Sequence, residues 1–598
     1  MGFRNLGGGA VVVAVIALFS GCHDDVAAFR ATVHEGELEH ELSLRDETRR
    51  PHEEEAVVSG TADELPRFRV DAIPSDAGDL PVGMLELELA GDVRGGHVEI
   101  TGPIVYSVPF SRAIVVTEGS DWAHSDVSEN AAEGSTILRF DLTTGTASLT
   151  VSDFQDAEFA FSAAPDREYS IQALRFLEEP AELRVAFPVG SDSGASETSS
   201  VPLFDDRLQV TVDARMWEFS DLSTVLSGDV DGVRLVYHMP RSAFTDRSVR
   251  PAVTLEIRGA GGARRSLQLY VRPGTREVIL RPGLWEIDAD ALTVRDAPEG
   301  FRLRELSSTK VSPDPEVPIP IEMSEFLRYP ADQWRRDDFE LFTWTLYPEI
   351  LWFDTRDYEV QARLFRRLAF FVEKRGFIGS LLTDEALAGR HGWNAHNYRP
   401  EGLADFFNAV RSTDFPLNEY EEQLREIILQ RGIIVEDDSG RFLPGRGGVL
   451  SVSQVSFLEL RRLLITHEAL HGVFYQEPTF RRAAFDYWDN ELDPRERGFW
   501  RDFFSWMSYS PDDRYLMVNE FQAYLLQQSE AGVRWYFRSR TADRLRRAYP
   551  QRVEQIDIFL RDYPSTFVDA GAAMNQALFE AAGIVGGDPY GLQPLSEE

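Results

Sequence analysis

The spacing of apolar residues changes once along this chain, and that change constrains the fold more than any other feature. Up to about residue 315, apolar and polar residues alternate, as in HVEITGPIVYSV, STILRFDLTT, TASLTVSDF and EYSIQALRFL. Beyond the Pro-rich stretch 312–322 (SPDPEVPIPIE), apolar residues recur every three to four positions, as in DYEVQARLFRRLAFFVEKRGF, EYEEQLREIILQRGI and FLELRRLLITHEALHGVFY. A period of two lines one face of a strand, and a period of 3.6 lines one face of a helix. The expected architecture is therefore multidomain, with an all-β, sandwich-like N-terminal region followed by a mostly α-helical C-terminal domain.

The chain has 598 residues, more than one hydrophobic core organises. A Gly/Ser-rich break at 190–200 (GSDSGASETSS) divides the alternating region into 66–190 and 201–315. Short strands with Gly, Pro and Asp turns predict a β-sandwich-like domain in each. Two uses stay open for them. Their exposed aromatics could bind carbohydrate, or the domains could be spacers. The helical domain is expected over 323–598.

Asp and Glu number 99 against 61 Lys and Arg, giving a net charge of -38. A field of that sign repels polyanions, so nucleic acid is not expected as a partner. Only two of the basic residues are lysines, Lys310 and Lys374.

The N-terminus suggests an address. Arg4 precedes the apolar run Val11 to Phe19, which is shorter than the roughly 20 residues a membrane-spanning helix needs but suits a signal-peptide core. Phe19-Ser20-Gly21-Cys22 follows and resembles a bacterial lipobox, with Phe19 in place of the usual Leu. The resemblance implies cleavage after residue 21, lipidation of Cys22 and a membrane anchor in the bacterial envelope, either periplasmic or at the cell surface. Cys22 is also the chain's one cysteine, so no internal disulfide can form. Residues 22–65 are polar and acid-rich and read as a flexible tether.

The chemistry concentrates at His467-Glu468-Ala469-Leu470-His471, an H-E-x-x-H pattern. On a helix the two histidines fall on one face a turn apart, where both can bind one ion at about 2.0–2.1 Å per nitrogen. Glu468 then projects beside the ion, placed to take a proton from an attacking water and pass it to a leaving amine. Gly448–Ser453 upstream reads as a short strand. This arrangement is similar to the zincin metallopeptidases, in which a strand before the H-E-x-x-H helix lines the cleft and pairs with extended substrate.

A catalytic zinc needs a third protein ligand. His471 is the last histidine of the chain, so the third ligand should be acidic. Glu491 and Glu520 are the candidates. Glu520 is preferred because it sits inside an amphipathic helix (LMVNEFQAYLLQQ) that could pack rigidly against the H-E-x-x-H helix, whereas Glu491 lies in a loop just before Pro494. Glu520-Phe521-Gln522-Ala523 also resembles the third-ligand helix of gluzincins with a long insertion, such as the anthrax lethal factor-like peptidases. That resemblance covers two short motifs and their order, not the β-region. It implies Zn2+ held by His467, His471 and Glu520, with Glu468 as general base and acid. Tyr475, Tyr509, Tyr515 and Tyr524 are candidate donors to the oxyanion, and residues 391–398 (HGWNAHNY) could line a subsite or support a ligand.

The expected function is a lipid-anchored zinc metallopeptidase acting on protein or peptide. Two competing readings are a non-catalytic surface lipoprotein with binding β-domains and a degenerate helical domain, and a zinc hydrolase acting on non-peptide amides such as cell-wall material.

Overall fold

The computed structural model describes residues 231–595 throughout except 260 and 438, and before them separate strands between 11 and 220 together with Leu222. Residues 17–27, with Cys22, and the break at 190–200 lie outside the described residues. The chain divides into two compact units. No helix among the described residues is long and apolar enough to cross a membrane.

The first unit comprises 1–205, 236–243 and 300–307. In its large sheet Met84–Gly91 pairs antiparallel with Ser135–Asp141 on one side and Glu168–Leu177 on the other. Leu85, Leu87 and Leu89 are all buried, as a period of two requires of the face turned to a core. In the segment 22–65, read above as a tether, the structure places strands at Ala28–Glu35, Leu38–Asp46 and Ala56–Ser59. The first of these also pairs with Val11–Ile16, inside the proposed signal core. The LEHELSL stretch carries its leucines at alternating positions, enough to pattern a strand within an acidic composition.

The second unit comprises 206–235, 244–299 and 308–598. The strands within 206–235 and 244–299 therefore fall in one unit with the helical region, although the sequence reading drew a boundary between them. Their antiparallel sheet runs in the order Gln209–Asp213, Met216–Ser220, Ala289–Arg295, Ala252–Gly259, Arg264–Tyr270 and Leu592–Pro594. The last strand comes from the C-terminus, with Leu592 opposite Leu269. Buried Arg272 reinforces the join by donating to the carbonyls of Gly583 and Pro589, at 2.6 and 3.1 Å.

At the centre of the helical region lies a five-stranded mixed sheet. Its order is Ile319–Ile321, Phe339–Trp344, Tyr347–Thr355, Gly448–Ser453 and His396–Tyr398. Residues alternate between its two faces. Ile350, Trp352, Leu450 and Val452 face one core, which includes Ala469, Leu470 and Val473 of the helix Leu458–Gln476. Leu351, Phe353 and Val449 face the other, with the helices Tyr358–Val372, Pro400–Thr413 and Glu419–Gln430. The H-E-x-x-H helix thus lies against one face of a sheet covered on both sides, and each layer buries the stripe its sequence period marks.

One expectation is corrected here. The strand Gly448–Ser453 cannot pair with a substrate over its central residues. It runs parallel to Tyr347–Thr355 on one side and antiparallel to His396–Tyr398 on the other. The edge on that side of the sheet belongs to His396–Tyr398.

Candidate metal centre

The motif helix is fixed at its first turn by a buried ion pair. Arg461 donates to both carboxylate oxygens of Asp354, at 2.8 and 2.7 Å, and both side chains are almost wholly enclosed. Asp354 belongs to the central strand Tyr347–Thr355, so this two-pronged contact sets the helix's rotation and height on the sheet. Two turns on, His467 and His471 point the same way. Their Nε2 atoms stand 3.2 Å apart, with ring planes at 81°.

Glu520 completes the group from the helix Arg514–Leu526. Its carboxylate oxygens stand 3.6 Å from His467 Nε2 and 3.8 Å from His471 Nε2. The potential ligand atoms of His467, His471 and Glu520 all lie within 4.8 Å of one another. Asp513 caps this helix by accepting from the backbone N–H of Leu516 at 3.0 Å. Every residue from Leu516 to Leu526 is buried, so it is a central helix rather than an amphipathic one lying at the surface. Glu491, the alternative ligand, is exposed at the end of a short π-helical turn, Tyr487–Glu491, and is outside the group.

The local electrostatics suit a cation. Burial pushes both histidines down to about 4, leaving the rings neutral, as metal ligands must be. His471 Nδ1 lies 2.9 Å from Asn519 Oδ1. A bond donated to that oxygen puts the ring's proton on Nδ1 and leaves a lone pair on Nε2. Burial pushes the Glu520 carboxyl up to about 7, with His471 and Tyr509 pulling it back. Neither Glu520 oxygen makes a well-formed hydrogen bond, Tyr509 acting on it without one, although the side chain is fully enclosed. Two facing imidazole nitrogens beside an unsatisfied buried carboxylate are costly unless something positive sits between them. The donors are two nitrogens and one or two carboxylate oxygens, which fits zinc.

Glu468 is buried beside this group but is not one of its three members. Burial, then Glu520, then Glu373 hold its carboxyl well above the usual range. The Asn397 amide opposes that shift, and its oxygen is taken by the Tyr475 hydroxyl at 2.6 Å. Asn397 lies on the edge strand, so the HGWNAHNY segment does contribute to the site. Of the four tyrosines, Tyr475 is committed to Asn397. Tyr515 packs against Phe474, Phe485 and the Arg399 guanidinium. Tyr509 bears directly on Glu520, and the Tyr524 ring meets His467 edge-on, centroids 4.7 Å apart.

Sequence reasoning missed Asn519, Glu373 and Lys374 around the centre, whereas Asn397 lies in the segment 391–398 that it singled out. Asn519 had a visible signal: a second polar residue adjoining Glu520 within an otherwise apolar run.

No protein-family profile and no curated protein matches this chain. Among solved structures, a glycoside hydrolase domain, Endo-D, from Streptococcus pneumoniae R6 aligns at 12% identity and TM-score 0.12, over 44% of this chain and 36% of that one. A β-1,2-glucanase from Parabacteroides distasonis aligns at 11% identity and TM-score 0.15, over 83% of this chain and 62% of that one. Both alignments span less than two thirds of the other protein.

Proposed function

We propose that this protein is a zinc-dependent metallopeptidase, anchored in a bacterial envelope through lipid on Cys22. The observation that carries the enzymatic reading is the convergence of His467 and His471 on the unsatisfied buried carboxylate of Glu520, with Glu468 left over beside them. A bound zinc ion would supply Lewis acidity and make an attacking water acidic at neutral pH. The chain's own residues account for the rest. His467 and His471 offer neutral nitrogens, and Asn519 fixes the tautomer of the second. Glu468, ionised in the presence of the bound cation, would take a proton from the water and return it to the departing amine. Tyr509, which acts on Glu520, and Tyr524, which packs on His467, offer hydroxyls for the developing oxyanion. The order of the motif helix and the glutamate helix supports the zincin-like reading of this domain.

The test is Glu468→Gln. Zinc content should stay at the wild-type value while kcat for a cleaved peptide falls about 10²–10⁴-fold. Full activity at full zinc occupancy would remove Glu468 from the mechanism. A purified protein that takes up no zinc would remove the reading altogether. Anchoring is tested separately: labelling with a fatty-acid analogue should be lost in Cys22→Ser.

A further inference from the structure

Lys374 stands out twice. It is one of two lysines among 61 basic residues, and it is 8% exposed. A cation buried that far ordinarily faces a carboxylate. Among the described residues its ammonium makes no ion pair and no hydrogen bond. Its contacts are aromatic: Nζ lies 2.9 Å from the centre of the Trp393 ring and 6.0 Å from that of Phe370.

Trp393 links this lysine to the metal centre. Its indole N–H donates to Glu373 at 2.7 Å, and its ring stacks on Tyr509 with centroids 4.8 Å apart. Tyr509 in turn bears on Glu520. The backbones agree, since Lys374 bridges to Tyr509 and the Arg375 N–H donates to Ser508 at 3.0 Å. Glu373, the preceding residue, gives a carboxylate oxygen to the Trp393 N–H and forms no ion pair with Lys374, although its charge is felt there. The array leaves the ammonium without an ion pair among the described residues, one aromatic stack away from the ligand carboxylate.

We infer that Lys374, held on Trp393 beside Tyr509, is a specificity-determining residue that receives a carboxylate of the substrate. The carboxylate is either an acidic side chain near the scissile bond or the peptide's free C-terminus. The identity of the substrate as a peptide rests on the metallopeptidase reading. The anion site itself does not.

The experiment compares matched peptides: Glu against Gln at each position flanking the cleaved bond, and free acid against amide at the C-terminus. For one of these pairs, kcat/KM should favour the carboxylate form about 10-fold or more, the scale of a hydrogen bond to a charged group. The ratio should collapse to about 1 in Lys374→Gln and persist in Lys374→Arg. The two kinds of pair tell the two sources apart. The same peptides are titrated calorimetrically into the Glu468→Gln protein with and without Lys374→Gln, so that binding preference is read even if no peptide is cleaved. Absence of cleavage with the binding preference intact overturns the peptidase reading and supports the anion site. Equal values for acid and neutral peptides in the protein bearing Lys374 overturn the anion site, and that comparison decides even if the lysine variants fail to fold. An equal preference with and without Lys374 overturns it too.

Discussion

Three side chains four and forty-nine residues apart meet because each is held by a different kind of contact. His467 and His471 share a face of one helix. Glu520 is enclosed to 0% exposure in another, with no hydrogen bond that would offset its burial. Zinc analysis should therefore separate the two acidic candidates sharply. Glu520→Ala should lose stoichiometric zinc, whereas Glu491→Ala, at an exposed position, should keep it. Equal zinc content in the two variants would contradict the assignment. Asn519 belongs to the same argument at one remove. Removing its oxygen frees the His471 ring to rotate and to change tautomer, so Asn519→Ala should weaken zinc affinity about 10–100-fold. Competition against a chromophoric chelator measures this without reference to catalysis.

At the scale of elements, a buried ion pair between Arg461 and Asp354 adds to apolar packing in holding the motif helix on the sheet. Arg461→Ala would leave Asp354 enclosed and unpaired. Breaking such a pair from one side costs about 3–5 kcal/mol, readable as a drop in the urea midpoint. The double variant Arg461→Met, Asp354→Leu should recover a large part of that loss, because apolar replacements leave no buried charge behind. This layer was partly legible beforehand. Gly448–Ser453 announces itself as a strand by its bounding glycines and valines, and the motif helix by its period. The hairpin Phe339–Trp344 and Tyr347–Thr355 did not. A strand covered on both faces carries a continuous apolar run without alternation, and such a run does not distinguish strand from helix. The glutamate helix was found but its faces were misjudged. Asn519, Glu520 and Gln522 look like a solvent face, yet they are polar because they surround the ligands. The C-terminal strand's return to the sheet of Arg264–Tyr270 is a long-range pairing for which local sequence holds no signal.

For the whole molecule, the buried titratable groups make opposing contributions to stability, and pH sorts them. Glu325 and Glu520 are pushed up to about 7 and Glu373 up to about 8, all from 4.5 and all chiefly by burial. The folded state holds these protons after the unfolded chain has released its own, so each group's stabilisation is complete below 4.5 and is lost as pH rises through the folded value. The buried histidines act the other way. His467 and His471, at about 4, and His396, at about 3, lie below their usual 6.5, so their neutral folded forms add stability as pH climbs towards 6.5. Between about 4.5 and 6.5 the two sets offset each other. From about 6.5 to 8 only the raised carboxyls still titrate, and the metal-free protein should lose stability across that window. Above about 8 the slope should turn, because Lys374, lowered to about 8 from 10.5, then favours the folded state. Zinc changes the balance by taking the place of the proton on Glu520 and by binding only the folded chain. The urea midpoint of chelator-treated protein should therefore fall from pH 6.5 to 8, and the midpoint with saturating zinc should fall less, so that the stabilisation due to zinc grows over the same interval. A metal-free midpoint that rises across this window would show that the carboxyls around the centre are not held in their protonated forms.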